Sequence, residues 1–402
     1  MDFANLTECA VDQLAEQISA ALDSLRIELP SWGFANTGTR FGKFLQNEAA
    51  STIEEKFADA GQVHALTGVC PTLALHVAWD LPNGLSDVAR IRSLESQYGI
   101  RAGSINPNLF ERQEFKFGSI CNPDSSVRKL ALDHLLASVE LGKELYSQDI
   151  SIWLADGSNY PGTQSIRKRI DWMAEALAAT HAALAADQRM LIEYKPFEPA
   201  FYHTDIADWG MALLLAQQSG PQAMVLVDTG HHYQGQNIEQ IVAWLLREER
   251  LGGFHFNDRK YADDDLTIGS IDPYQVFRIF HELLSEGREL NEVAFMIDQS
   301  HNLKSKMEAT VQTVCTAQEI FAKAAAVDRQ ELAELQSACR LVEAEECLRR
   351  AFWLDVRPVV AQWRKRNGLP EDPLAALRAS GYIDRIRAER GARKPKTVSS
   401  YA

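Results

Sequence analysis

MLIEYKP at 190–196, AMVLVDTG at 223–230, GGFHFND at 252–258 and VAFMIDQS at 293–300 are four short apolar runs that each finish on polar or ionisable residues. The segments RKRIDWMAEALAATHAALAAD (167–187) and NIEQIVAWLLREERL (237–251) beside them read as amphipathic helices. Toward the N-terminus the alternation continues through WGFAN (32–36), TLALHVAWD (72–80), IRAGSIN (100–106) and DISIWLAD (149–156). Eight strand candidates separated by helices imply an α/β fold with parallel pairing through right-handed crossovers. Eight repeats in about 270 residues fit a closed (β/α)8 TIM barrel better than an open sheet.

The polar residues strengthen that expectation because they load one end of the strands. They are His76 and Asp80, Asn106, Trp153 and Asp156, Glu193 and Lys195, Asp228 and His231, His255 and Asn257, and Asp298. A barrel builds its active site at the C-terminal ends of its strands. Scattered structural polar residues would not favour one end repeatedly.

Residues 8–28 place Val11, Leu14, Ile18, Leu22 and Leu25 at helical spacing. Beyond 305 the strand signal stops and helical runs dominate. The sequence therefore predicts a catalytic barrel over 1–304 with an N-terminal helix, and a C-terminal α-helical extension over 305–402 placed in oligomer contacts. Its end, RAERGARKPKTVSSYA, is basic and poor in hydrophobics, and reads as a flexible solvated tail from about 388.

The 402 residues are 46% hydrophobic, enough for a large core without covalent staples. No apolar run reaches the roughly 18–20 residues of a membrane span. The start, MDFANLTECAVDQ, lacks the basic and apolar regions of a signal peptide. Cys9, Cys70, Cys121, Cys315, Cys339 and Cys347 show no zinc-ligand spacing and read as reduced thiols, so a cytoplasmic location is expected. A net charge of −14 argues against a nucleic-acid partner.

Chemistry concentrates between 193 and 298. Glu193 and Lys195 are two apart, so a strand turns both to one face. The alternative, a buried ion pair, is costly to desolvate and needs a reason to be inside. Asp228 ends an apolar strand and His231 follows three residues later. His232 reads as an exposed loop histidine. His255 and Asn257 share a face of the seventh strand candidate, with Asp258 opposite. In YADDDL, Asp263 and Asp265 can reach one cation while Asp264 faces away, although a solvated acidic loop is the simpler reading of that run alone. Asp298 ends the last strand candidate, and His301 is a rival ligand. This many carboxylates at one mouth repel one another unless cations intervene. Mixed carboxylate and imidazole ligation suits Mn²⁺, Mg²⁺, Co²⁺ or Zn²⁺, and seven ligands exceed what one ion takes.

In this order the residues resemble the xylose-isomerase-like superfamily, whose pattern is E-x-K, an acidic residue-x-x-H, D-x-D and a final Asp. The runs IEYKPFEPAFYHTD, VDTGHH, NDRKYADDDL and WLADGSNYPG further resemble bacterial L-rhamnose isomerases of the broad-specificity type, over most of residues 30–390. The resemblance implies one metal on Glu193, Asp228, His255 and Asp298, and a second on His231, Asp263 and Asp265, with Asp228 as a bridge. It implies that Lys195 hydrogen-bonds a substrate oxygen, that Trp153 walls the sugar, and that His76 assists ring opening. Lys195, His76 and Asp298 are thus the catalytic candidates. Phe41, in TRFGKF, is implied to reach a neighbouring subunit's pocket in a homotetramer.

The activity implied is aldose–ketose isomerisation of L-rhamnose to L-rhamnulose, extending to aldoses such as D-allose. Two divalent metals, Mn²⁺ foremost, would mediate a 1,2-hydride shift. Two rivals use similar barrels. One is a keto-sugar 3-epimerase, which typically needs one metal and acids on opposite sides of one carbon. The other is a metal-dependent phosphodiester hydrolase, which the acidic charge disfavours.

Overall fold

A computed structural model describes residues 8–39, 42–198, 202–285 and 290–392. Eight parallel strands close into a barrel: β1 Glu28–Pro30, β2 Thr72–His76, β3 Arg101–Asn106, β4 Asp149–Ile152, β5 Arg189–Glu193, β6 Ala223–Asp228, β7 Leu251–Phe256 and β8 Ala294–Ile297. Each strand pairs with its sequence neighbours, and β1 closes the ring against β8 through Glu28↔Met296. The predicted (β/α)8 barrel with C-terminal helices is therefore the observed fold.

The connecting helices start where the sequence supplies a cap. Thr52, Asp124, Ser165, Asp208 and Asn237 each accept a backbone N–H of the first turn. Helix Ile238–Arg247 shows why such segments dock: Ile238, Ile241, Val242, Leu245 and Leu246 form its buried face. Among the described residues, no helix is long and apolar enough to cross a membrane. Cys70, Cys121, Cys315, Cys339 and Cys347 are free thiols.

Three expectations need correction. The first strand is not WGFAN: Ser31–Phe34 forms a 3₁₀ turn, and the strand is Glu28–Pro30 just before it. Pro30 and a half-buried charged residue, Glu28, hid it. The Glu28 carboxylate crosses the barrel base to accept from Ser104 N and Oγ, at 2.9 and 2.6 Å. It occupies the place where a Cβ on Gly103 would stand, 1.8 Å from Glu28 Oε2, so only glycine fits there.

Second, helix Lys306–Ala325, the first after residue 305, packs against Pro273–Ser285 and Ile53–Thr67 and so belongs to the helical ring around the barrel. Five further helices follow it, from Arg329–Ser337 to Tyr382–Gly391.

Third, the chain does not loosen at 388. Helix Tyr382–Gly391 continues through Arg390, which is 4% exposed. Its guanidinium holds both Asp59 oxygens, at 2.8 and 2.9 Å, and the Glu48 carbonyl at 2.7 Å. Burial raises the Asp59 carboxyl against the pull of Arg390. Removing one partner leaves a buried charge, so Arg390→Ala is expected to cost about 3–5 kcal/mol. A urea midpoint unchanged from wild type would refute that. Residues 393–402 lie outside the described residues.

Candidate active site

The C-terminal mouth of the barrel divides into two halves. Strands β1–β4 lead to aromatic groups: Trp32, His76 with Trp79, Phe110 and Trp153. Strands β5–β8 lead to ligating groups: Glu193, Asp228, His255 and Asp298, with His231 and the 263–265 loop beside them. The aromatic groups, with Glu193, His231, His255, Asp263, Asp265 and Asp298, line a cavity of about 180 Å³, and Asp228 lies buried behind them. That is smaller than a typical drug site of roughly 300–1,000 Å³ and suits a small polar molecule. A larger hollow, about 670 Å³, lies on the outer surface beside helix Tyr382–Gly391. Its Arg390 and Glu54 are already ion-paired, to Asp59 and Arg90.

In the ligating half, Glu193 stands between two imidazoles, with Oε1 3.2 Å from His231 Nδ1 and Oε2 3.3 Å from His255 Nδ1. Asp228 is fully buried. Its Oδ1 accepts from Gly230 N at 2.6 Å and Asn257 Nδ2 at 2.9 Å. Among the described residues its Oδ2 has no hydrogen-bond partner, and it lies 3.8 Å from His231 Nε2 and 3.9 Å from His255 Nδ1. Asp298 Oδ2 lies 3.7 Å from His255 Nδ1, while its Oδ1 accepts from Trp32 Nε1 at 2.8 Å. Asp263 Oδ1 is 3.2 Å from His231 Nε2, and its Oδ2 accepts from Lys195 Nζ at 2.7 Å. Asp265 lines the same cavity with φ at 48°, a left-handed conformation that Asp tolerates better than most residues. Asp264 turns away and accepts from Lys260 N and Tyr261 N, holding the loop.

These contacts set the protonation states. Burial, reinforced by Glu193, Asp263 and Asp298, pushes Asp228 up to about 7 despite His231. Burial opposes charge on His231 and His255, yet the carboxylates around them hold the two imidazoles at about 10 and about 9. Asp265 rises through burial and its neighbour Asp263. Asp263 itself is lowered, because His231 and Lys195 outweigh its burial.

Among the described residues, two sets of groups approach closely enough to hold a cation: Glu193, Asp228 and His231, and Asp228, His255 and Asp298, with ligand atoms within 4.8 Å of one another in each set. Asp228 belongs to both. The buried Oδ2 of Asp228 has no hydrogen-bond partner among the described residues. Buried polar atoms of this kind normally find one, so the donor set fits divalent cations. The two expected ligand sets interlock here, because Glu193 faces both histidines.

In the aromatic half, His76 stacks on Trp79 with ring centroids 3.5 Å apart and planes inclined by 16°. Burial and nearby Lys56 lower His76 to about 3, keeping the ring neutral. Phe110 packs edge-on to His76 and Trp153. Lys195 Nζ lies 5.2 Å from the Trp153 ring, within cation–π range.

Two readings fail. His232 is not exposed: it is 4% accessible, with Nε2 2.7 Å from the Tyr194 hydroxyl. Burial and Arg259 lower it to about 3. His301 is no rival ligand, since its Nε2 turns to Gln299 Oε1 at 3.2 Å. Phe41 lies outside the described residues. Trp32, Trp79, Phe110 and Ser151 were missed, and only their closeness to the strand ends could have flagged them.

The sequence matches the family described as "Xylose isomerase-like TIM barrel" over residues 71–296. A protein named as a probable sugar isomerase from Rhizobium meliloti (strain 1021) is 40% identical over 385 residues, covering 94% of this chain and 89% of that protein. A xylose isomerase of Thermus thermophilus is 30% identical over 211 residues, 50% of this chain and 54% of that enzyme. Among solved structures, an L-ribulose 3-epimerase superposes with a TM-score of 0.55 at 15% identity, covering 78% of this chain and 98% of that one. A xylose isomerase domain protein from Alicyclobacillus acidocaldarius gives 0.54 at 14%, covering 75% and 99%. At these identities the structural likeness speaks for the fold alone. The chain belongs to the xylose isomerase-like TIM barrel family. It is an isomerase/epimerase enzyme of that family.

Proposed function

We propose that the protein is a metal-dependent aldose–ketose isomerase that converts L-rhamnose to L-rhamnulose and also accepts aldoses such as D-allose. The divided mouth carries this reading: a ligating half holding Asp228 in common to two cation sets faces an aromatic half across a cavity of about 180 Å³. Two divalent ions, Mn²⁺ foremost, would be held by Glu193, Asp228, His231, His255 and Asp298, with Asp263 and Asp265 beside His231, and would supply Lewis acidity toward adjacent sugar oxygens. The aromatic half complements the apolar methyl end of a 6-deoxy sugar.

The chain's own groups do the remaining work. Neutral His76 lines the cavity and its buried Nδ1 has no hydrogen-bond partner among the described residues, which suits the ring to take the anomeric hydroxyl proton as the sugar opens. The Lys195 ammonium donates to a sugar oxygen and favours negative charge there. The indoles of Trp32, Trp79 and Trp153 exclude water. In such a site, hydrogen moves from C2 to C1 without exchanging with solvent. L-rhamnose deuterated at C2 is expected to give ketose that keeps the label, and wash-out into solvent would overturn the hydride shift.

The first test is ketose formation by EDTA-stripped protein, with and without Mn²⁺, on L-rhamnose, D-allose and D-xylose. Mn²⁺-dependent ketose from L-rhamnose or D-allose is the expected result. Silence on every aldose, with epimerised ketose products and one metal per chain, would establish the 3-epimerase instead. The same reading includes a cytoplasmic homotetramer, which a light-scattering mass of four chains would support.

A further inference from the structure

Ser151 in strand β4 and, two residues on, Trp153 just past its end both line the same cavity. Both carry a buried polar atom, Ser151 Oγ and Trp153 Nε1, that finds no hydrogen-bond partner among the described residues. Ser151 is 2% exposed. Buried hydroxyls and indole N–H groups are ordinarily satisfied, and the neighbouring indoles and amide of this half are. Trp32 Nε1 donates to Asp298 and Trp79 Nε1 to Glu111 Oε2, at 2.8 and 3.0 Å. Asn106 Nδ2 donates to the Leu75 and Ser104 carbonyls. Of three indoles around the cavity, two are oriented by protein carboxylates and the third keeps its N–H for something else.

The two groups complement each other. An indole N–H only donates, whereas a serine hydroxyl both donates and accepts. One alcohol can accept from Trp153 and donate to Ser151, satisfying both at once. A thioether, a methyl group or a fluorine cannot do both. The pair also belongs to the half of the mouth opposite Asp228 and His255, which would hold the reacting oxygens.

We infer that Ser151 Oγ and Trp153 Nε1 form a hydroxyl-recognition pair for one substrate hydroxyl remote from C1 and C2, making them specificity-determining residues. The inference rests on the isomerase reading and names a contact that the cations do not supply.

The test uses Mn²⁺-loaded full-length protein, with L-rhamnose and its single-deoxy analogues at C3, C4 and C5. Both kinetics and calorimetric dissociation constants are measured. Wild type is expected to bind one analogue about tenfold more weakly than L-rhamnose, the worth of one neutral hydrogen bond. Ser151→Ala and Trp153→Phe are each expected to raise KM for L-rhamnose about tenfold, with kcat falling much less. Each variant loses discrimination against that same analogue, and the double variant is little worse than either single. The sugar-free melting temperature of Ser151→Ala is not expected to fall, because its hydroxyl has no partner among the described residues, whereas a structural hydroxyl would lower it.

A penalty spread equally over all three analogues, or an unchanged KM and affinity, overturns the pair. If wild type binds these sugars with the expected discrimination but turns none over, the isomerase reading fails and the pair stands. If turnover is normal and Ser151→Ala discriminates like wild type, the pair fails and the isomerase stands.

Discussion

Replacing Asp228 by asparagine is expected to abolish isomerisation, lowering turnover at least about 10³-fold, because Lewis-acid stabilisation is worth several kcal/mol. The substitution is nearly isosteric, so the effect is electrostatic. Oδ1 is committed to Gly230 N and Asn257 Nδ2, so the asparagine carbonyl takes that place. The NH2 group then points where Oδ2 now faces His231 and His255, offering donors to cations that both candidate sets need a carboxylate to hold. Metal analysis should show fewer than two bound ions. Wild-type turnover with two ions retained would dismiss Asp228 as a shared ligand. Stability moves the other way in EDTA. With its carboxyl raised to about 7 by burial, Asp228 opposes folding at pH 8, where it must ionise, and not at pH 3, where it is protonated in both folded and unfolded chains. The asparagine variant should therefore melt higher than wild type in EDTA at pH 8, and the gain should vanish in acid.

Loading the stripped protein with Mn²⁺ at pH 7 is expected to release protons, with apparent affinity rising steeply from pH 6 to pH 8. His231 and His255 are held protonated, at about 10 and about 9, by the carboxylates around them. Metals require neutral imidazoles, so each bound ion displaces a proton, worth about tenfold in affinity per proton per pH unit. Without metal, the raised imidazoles contribute stability that is complete below their unfolded value near 6.5 and is lost as pH climbs through 9 to 10. Stripped protein should thus lose stability in alkali more than loaded protein. Calorimetry in buffers of different ionisation enthalpy counts the protons. Affinity independent of pH between 6 and 8 would show that the ligands are not preloaded with protons.

Much of this was legible in the residues. Glu193, Asp228, His255 and Asp298 stand at the ends of apolar strands, and a carboxylate ending such a run has few reasons to be there. The 263–265 loop followed from order along the chain. What stayed hidden was aromatic or distant. Trp32, Trp79 and Phe110 sit beyond the strand ends, where an aromatic looks the same whether it walls a substrate or fills a core. Strand β1 is three residues long and includes Pro30, leaving too little alternation to recognise. Arg390 reads as part of a solvated basic tail because its partner, Asp59, is 331 positions away. His232 looked like a surface residue because nothing local reveals the Tyr194 hydroxyl that receives it.

The split mouth has a consequence for how this catalyst can change. In the proposed isomerase the aromatic walls come from before about residue 155 and the cation ligands from after about residue 190, so the two can drift independently. On that reading, exchanging Trp79, Phe110 or Trp153 would alter which sugar is accepted while leaving the ligating carboxylates and histidines in place. Trp32 is the exception, because its indole N–H anchors Asp298 across the closure between β1 and β8. A redesign for a new sugar therefore has three adjustable walls and one that must be left in place.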